Sequence, residues 1–253
     1  MERLKCTVSY DGSDFAGFQV QPDHRTVQGV VEKALYNMHK GKSIRIQASG
    51  RTDTGVHAVG QVIHFDSPLE IPERNWKQAL NTLLPDDVRI RKVEKKTEEF
   101  HARYSVKEKE YHYFVSNEED PDVFRREYVY HEPRKLDFER MQEACKYLEG
   151  THDFTSFSSA KSSVKGTKIR TLYHVSCHQT GSNIEFVFRG SGFLYNMVRI
   201  MMSVLLDVGK GKRNPKDIID LLASKNRQQI GKTLAPQGLY LWRVFYEENG
   251  SEK

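Results

Sequence analysis

Paired cysteines are missing from this chain. Cys6, Cys145 and Cys177 lie far apart, and no two of them form a CxxC pair. A disulfide framework and a cysteine-based structural zinc site are therefore not expected. The ten histidines include no HExxH pattern and no His-rich tract. Isolated ones such as His39 and His178 read as surface or capped residues rather than metal ligands. Long apolar runs are missing too. The longest, from Met197 to Val208, is interrupted by Arg199 and Asp207 and is too broken to cross a bilayer. Met1-Glu2-Arg3-Leu4-Lys5 enters a strand pattern directly, with no apolar signal segment. A cytoplasmic protein that uses neither metal nor organic cofactor is expected.

What is present points toward a polyanion. The chain has 253 residues, enough for one large domain or two small ones. Its formal net charge is +5 and aromatics make up 11%, nearly all of them Tyr and Phe. Cations that meet phosphates and rings that stack on bases suit a nucleic-acid surface. An ordinary soluble enzyme fits the same composition. Two basic stretches are candidate phosphate contacts. One carries Lys161, Lys165, Lys168 and Arg170; the other runs from Asp207 to Lys232.

Periodicity gives the architecture. Leu4, Cys6, Val8 and Tyr10 alternate as a strand does. Thr26 reads as an N-cap, followed by Val27, Val30, Val31, Ala34, Leu35 and Met38 at helical spacing. Ile44, Ile46 and Ala48 alternate, and so does the run Gln61–Phe65. Pro72 sits where a helix starts, with Trp76, Ala79, Leu80 and Leu83 on one stripe and Pro85 to stop it. Val88 and Ile90 open a fourth strand. The second half repeats the order. Its strands carry Tyr111, Tyr113 and Val115, then Thr171–Cys177, then Ile184–Phe188, and lastly Leu239–Tyr246. Asp137 is expected to cap a helix that Gly150 ends. Met197, Ile200, Met201, Val204 and Leu205 mark another, closed by Gly209. Asn214-Pro215 begins a short extra one.

Two β-α-β-β-α-β units imply an α+β fold of two ferredoxin-like, RRM-like halves. The expected halves are 1–104 and 105–253. Their sheets are expected to join edge to edge into one extended mixed, mainly antiparallel sheet with helices on one face. The segments Ser116–Pro133 and Phe154–Thr167 are long connections of the kind that is usually functional or mobile.

The chemistry concentrates in Ser49-Gly50-Arg51-Thr52-Asp53-Thr54-Gly55-Val56-His57-Ala58. This stretch holds one carboxylate in a Gly-flanked turn between two strand patterns, two residues after an arginine. Loops on a rigid scaffold are where catalytic groups tend to sit.

Four further stretches lie at strand ends: Tyr10-Asp11-Gly12-Ser13-Asp14-Phe15-Ala16-Gly17-Phe18-Gln19, Lys109-Glu110-Tyr111-His112-Tyr113, Arg189-Gly190-Ser191-Gly192-Phe193-Leu194-Tyr195-Asn196-Met197-Val198-Arg199, and Ala235-Pro236-Gln237-Gly238-Leu239-Tyr240-Leu241. With the Asp53 turn they resemble, in order and over nearly the whole chain, the tRNA pseudouridine synthase A family. The resemblance implies isomerisation of uridine to pseudouridine in the anticodon stem–loop of tRNA, at nucleotides 38, 39 and/or 40, by a homodimer. It makes Asp53 the essential carboxylate, Arg199 its ion-pair partner and Tyr111 the active-site tyrosine. Arg51 is the group that fills the space of an extruded nucleotide or holds a phosphate, and Leu241 and Leu194 line the pocket. Two departures stand out. Thr54 follows the aspartate where the family has Ala, and Lys109-Glu110 stand where Arg is common.

Two rival readings are weaker. Asp53-Thr54-Gly55 spells the aspartic-protease tripeptide, but the chain has only one, so a homodimer would have to supply the second. Arg51 would then sit beside a dyad that must share a proton. A non-catalytic RNA-binding protein with two RRM-like units is the other. Arg189-Gly190-Ser191-Gly192-Phe193 only faintly resembles the RRM consensus, and a pure binder has no use for the carboxylate turn.

Overall fold

A computed structural model gives the coordinates of the chain and describes residues 1–159 and 166–247. The fold is α+β, with two compact units. One is Met1–Lys107 together with the chain from Tyr240 on; the other is Glu108–Leu239. The sequence pattern divides the chain near residue 104 and leaves the last strand with the second half. By compactness, that strand groups with the first unit from Tyr240 on.

The first unit runs β1 (Glu2–Tyr10), α1 (Val27–Met38), β2 (Gln47–Ala48), β3 (His57–Ser67), α2 (Glu73–Leu83) and β4 (Val88–Lys96). This is the expected β-α-β-β-α-β order. β1 lies between β3 and β4, antiparallel to both. The last strand of the chain, Leu239–Tyr246, runs parallel to β3, with Tyr240 opposite His57 and Leu241 opposite Ala58.

Alternation along β1 sends Leu4, Cys6, Val8 and Tyr10 to one side, all 5% exposed or less, as a half-buried strand requires. The same side of β3 carries Phe65, whose ring meets Trp76 of α2 edge-on at 5.5 Å. That side is therefore the helix-covered one. α1 starts where expected, because the Thr26 hydroxyl accepts the Gly29 N–H at 3.3 Å. His39 ends α1, and it is no surface residue. It is buried, stacks on Trp76 and bonds Leu35 O at 2.7 Å and Ser67 Oγ at 2.8 Å.

The expected strand over 44–48 shrinks to Gln47–Ala48. Ile44 and Ile46 are buried as the alternation demands. However, Ile46 N–H is taken by the Glu32 carboxylate at 3.2 Å instead of by a neighbouring strand.

The second unit contains β5 (Val106–Ser116), β6 (Tyr130–His131), α3 (Phe138–Lys146), β7 (Gly150–Asp153), β8 (Ile169–Thr180), β9 (Asn183–Gly190), α4 (Met197–Gly209) and α5 (Asp217–Ser224). Its strands are ordered β5-β9-β8-β7, all antiparallel, with β6 parallel to the end of β5. Tyr111, Tyr113 and Val115 face Phe188, Phe186 and Ile184 across the ladder, and all six are buried. α4 is apolar nearly all round, as a helix enclosed by protein is. It locks onto α3 through Asp137 N–H to Gly209 O at 2.8 Å.

Asp137 caps α3 through the Arg140 N–H, but the helix stops at Lys146; Gly150, at φ 101°, begins β7 instead. α5 starts two residues later than Asn214-Pro215 suggests. Lys216 is its cap residue, and the Asp217 carboxylate reaches back to the Asn214 N–H at 2.9 Å.

Candidate active site

Asp53 sits where the first unit's sheet begins β3. Val56 N–H closes a turn onto Asp53 O at 3.1 Å, with Gly55 at φ 74° in the third position. That position of a type II turn needs positive φ, which glycine adopts without strain. Asp53 is half-buried, while Arg51 and Thr54 are exposed. Thr54 therefore enters at an open turn position, where a hydroxyl meets no core.

The stretch after β1 braces this turn backbone to backbone. Phe18 N–H bonds Thr52 O at 3.1 Å. A Cβ on Gly12 would lie 2.1 Å from Val56 O, and one on Gly17 would lie 2.9 Å from Thr52 O. Only glycine lets these strands of chain approach so closely.

Beneath the turn runs a buried chain of polar groups. Thr52 Oγ1 and Tyr10 OH are 2.7 Å apart, and the Gln61 amide reaches Tyr10 OH at 3.5 Å. Gln61 also donates to Gly50 O at 3.0 Å and accepts from Ser49 Oγ at 2.7 Å and Val62 N–H at 3.1 Å. Residues 49, 50 and 52 are thus all held from one amide and one phenol. Burial pushes the Tyr10 hydroxyl up to about 12, against the pull of Thr52 and Gln61, so it serves as a neutral hydrogen-bonding group.

At the far side of the turn, His57 Nδ1 accepts the Gly12 N–H at 3.0 Å and lies 3.2 Å from the Asp11 carboxylate. Its ring stacks on Tyr240 at 4.6 Å. That contact sets Leu241, fully buried, against the exit of the Asp53 turn. Asp53, Arg51 and Leu241 therefore belong to one unit and gather at one end of β3.

The remaining candidates belong to the second unit. Tyr111 is 9% exposed, and its ring meets Phe193 edge-on at 4.9 Å. Its neighbour on the same face, Tyr113, is fully buried and donates to Ala235 O at 2.7 Å. Burial raises the Tyr113 hydroxyl well above its ordinary value. Arg199 is half-buried on the first turn of α4 and fixed in direction. Its Nε donates to Leu234 O at 2.7 Å and its Nη1 to Asn196 Oδ1 at 2.9 Å. Asn196 holds the left-handed conformation, φ 60°, at the head of α4. Non-glycine residues held there often mark functional segments. Leu194 is buried beside Met197.

Several basic residues proposed as phosphate contacts have other work. Lys210 is half-buried and paired with Glu132 and Asp207. Arg213 and Arg227 brace carbonyls of the loop after α5. Arg170 bonds Thr167 O and Ile169 O. Lys161 and Lys165 lie outside the described residues. Among the described residues, no cluster of three His, Cys, Asp or Glu side chains is placed to hold a metal ion. No described helix is long and apolar enough to cross a membrane.

Sequence reasoning missed Gln61 as part of the site, and gave Thr52, Tyr10 and His57 no role of their own within the stretches that carry them. The available signal was a polar Gln at an inward position of a strand pattern, next to the carboxylate turn.

Residues 7–105 and 144–247 match the family described as tRNA pseudouridine synthase. The chain belongs to that family. Asp53, Arg51, Leu194, Arg199 and Leu241 fall inside the matched segments, and Tyr111 falls outside them. The chain is 93% identical, over 251 residues and 99% of each chain, to tRNA pseudouridine synthase A of Oceanobacillus iheyensis. It is 56% identical to tRNA pseudouridine synthase A 1 of Bacillus cereus (97% of this chain, 99% of that one). It is 55% identical to tRNA pseudouridine synthase A of Bacillus licheniformis, with the same coverage. A solved structure titled "Crystal Structure of a Cbf5-Nop10-Gar1 Complex" aligns with 80% of this chain and 54% of its own at 11% identity and a TM-score of 0.33, too slight to bear on fold or function. The chain is an isomerase, a pseudouridine synthase that acts on tRNA.

Proposed function

We propose that this synthase isomerises uridine in the anticodon stem–loop, at nucleotides 38, 39 and/or 40, with Asp53 as the essential carboxylate. The observation that supports Asp53 most is the construction of its turn. Two close glycine contacts and a buried hydroxyl–amide chain fix the backbone on both sides of a carboxylate that stays half-buried. Preorganisation of that kind is what a reacting group needs.

In the reaction the C1′–N1 bond breaks, the uracil turns, C5 bonds to C1′, and the C5 proton leaves while N1 gains one. No electrons are gained or lost. The ionised Asp53 acts on sugar or base. Arg199 is the cation that opposes its neutralisation by desolvation. The Tyr111 ring stacks on the uracil, and its hydroxyl takes part in removing the C5 proton. Arg51 occupies the space left by the extruded nucleotide, and Leu241 and Leu194 form apolar walls. A homodimer in the cytoplasm is the working form that goes with this reading.

The test is pseudouridine mapping by carbodiimide-blocked primer extension on several unmodified tRNAs, with wild type and Asp53→Asn. New stops at nucleotides 38–40 with wild type, and none with the variant, are expected. An Asp53→Asn enzyme that converts its target at the wild-type rate would overturn the assignment. Stops elsewhere in the tRNA would overturn the choice of nucleotide.

A further inference from the structure

Within the first unit, the face of the sheet opposite α1 and α2 carries a groove of about 1140 Å³. The charges in it do not balance. Lys5 on β1 and Lys92 and Lys96 on β4 share a single carboxylate, Glu94, at 3.3, 3.2 and 3.6 Å. Three ammoniums against one carboxylate leave two positive charges uncompensated. Elsewhere in the groove Lys107 is matched by Glu247 and Lys95 by Glu2, and Glu99 adds one further carboxylate, so cations still outnumber carboxylates. Arg243, from the last strand, adds an exposed guanidinium.

Lys5 is the telling member. Its side chain is 15% exposed, and its ammonium lies 4.9 Å from the Tyr246 ring centre and 5.8 Å from that of Phe100. Burial lowers its affinity for a proton, Glu94 raises it, and Lys96 and Lys92 lower it further. An anion bound beside the three lysines would relieve that repulsion.

The charged row is wider than one phosphate. Lys92 lies opposite Thr7, and Thr7 opposite Val62; the last strand, with Arg243, follows beyond β3. Four strands at ~4.8 Å spacing span ~14 Å. Tyr104, 78% exposed and packed on His101 at 4.3 Å, offers an aromatic face at the rim. A row of cations beside an open ring fits a phosphodiester chain with its bases better than a small anion.

The lysine cluster, though not the whole groove, lies away from the Asp53 turn. Lys5 is five residues from Tyr10, which holds Thr52, along β1, ~17 Å at ~3.4 Å per residue, whereas the groove's lining comes nearer at Thr7 and Gly60.

We propose that this groove is a second RNA contact, which grips the phosphate backbone of tRNA outside the nucleotide being isomerised. The proposal rests on tRNA being the substrate. Lys92, Lys96 and Arg243 supply the attraction, and Lys5 and Glu94 fix the lysine cluster in place.

The experiment compares wild type with Lys92→Ala/Lys96→Ala and with Arg243→Ala. It measures the Kd for a full-length unmodified tRNA and for an anticodon stem–loop oligonucleotide at several salt concentrations, kcat on the stem–loop, and the sedimentation coefficient. All three side chains are exposed, so the fold is expected to hold, and thermal melting checks this. The expected result is full-length tRNA bound about tenfold more weakly by the double variant, with a log Kd–log salt slope shallower by roughly 2. Stem–loop affinity and kcat stay unchanged. Unchanged tRNA affinity and salt slope would overturn the proposal, and so would an equal loss on the stem–loop. A shift in sedimentation that accounts for the lost affinity would also overturn it and make the groove a contact between copies of the chain. Failure of the catalytic reading shows separately, as the absence of pseudouridine in the wild-type reaction.

Discussion

At the scale of single residues, the site depends on a glutamine that touches no substrate in the proposed reaction. Gln61 is fully buried, and its amide is the junction of the chain Thr52–Tyr10–Gln61–Ser49 with a branch to Gly50 O. Gln61→Leu removes the acceptor of the Ser49 hydroxyl and the donor to Gly50 O. Each buried group deprived of a partner costs about 1–3 kcal/mol, so a fall in the urea midpoint is expected. Turnover should fall more than tenfold, with tRNA KM nearly unchanged, because the loss displaces Asp53 and leaves the RNA surface intact. Single-turnover kinetics check this, and an unchanged kcat would remove Gln61 from the support of the turn.

His64 carries a second prediction at this scale. It accepts the Ala102 N–H on Nδ1 at 3.1 Å, and burial, then His101 and Arg3, push it down to about 4 against the pull of Asp66. The unfolded ring titrates near 6.5. The folded ring therefore binds fewer protons than the unfolded one in between. Its contribution is fully present above about pH 6.5 and is lost as pH falls toward about 4. Urea midpoints at about pH 7.5 and about pH 5 should show wild type losing more stability than His64→Asn, whose amide oxygen keeps the acceptor without titrating.

At the scale of elements, caps were legible and pairings were not. Thr26 and Asp137 cap α1 and α3 as their residue types suggest, since a short side-chain oxygen satisfies an N–H that the helix leaves open. Asp137→Ala should cost about 1 kcal/mol by urea unfolding and leave kcat unchanged, because the cap lies on α3, apart from every candidate site residue. The start of α5 misled because Asp217, inside the helix, serves Asn214 from below. The stretch 44–48 misled for another reason. Alternation reports burial, and Ile44 and Ile46 are buried; it does not report whether a neighbouring strand takes the backbone groups, which here go to Glu32. α4 opens on a left-handed Asn196, a conformation no periodicity announces. That residue also orients Arg199.

At the scale of the molecule, the chain's last strand joins the first unit's sheet beside the Asp53 turn. Leu241 is fully exposed to neither solvent nor groove; it is buried opposite Ala58. Leu241→Ala should cost about 2–5 kcal/mol in urea unfolding and lower kcat as well, because the same side chain seats the exit of the Asp53 turn. By itself the sequence determined the α+β order of elements, the caps, the carboxylate turn with its glycines, and the basic, aromatic character that fits RNA. These follow from local period, turn chemistry and composition, which are read over a few residues at a time. Only the tertiary structure decided that the last strand runs parallel to β3, that Gly12 and Gly17 press on the Asp53 turn, that Gln61 ties three of its neighbours, and that three lysines converge on Glu94. Each of these joins residues distant along the chain, and such meetings are set by how strands register and pack, not by any repeat within a segment.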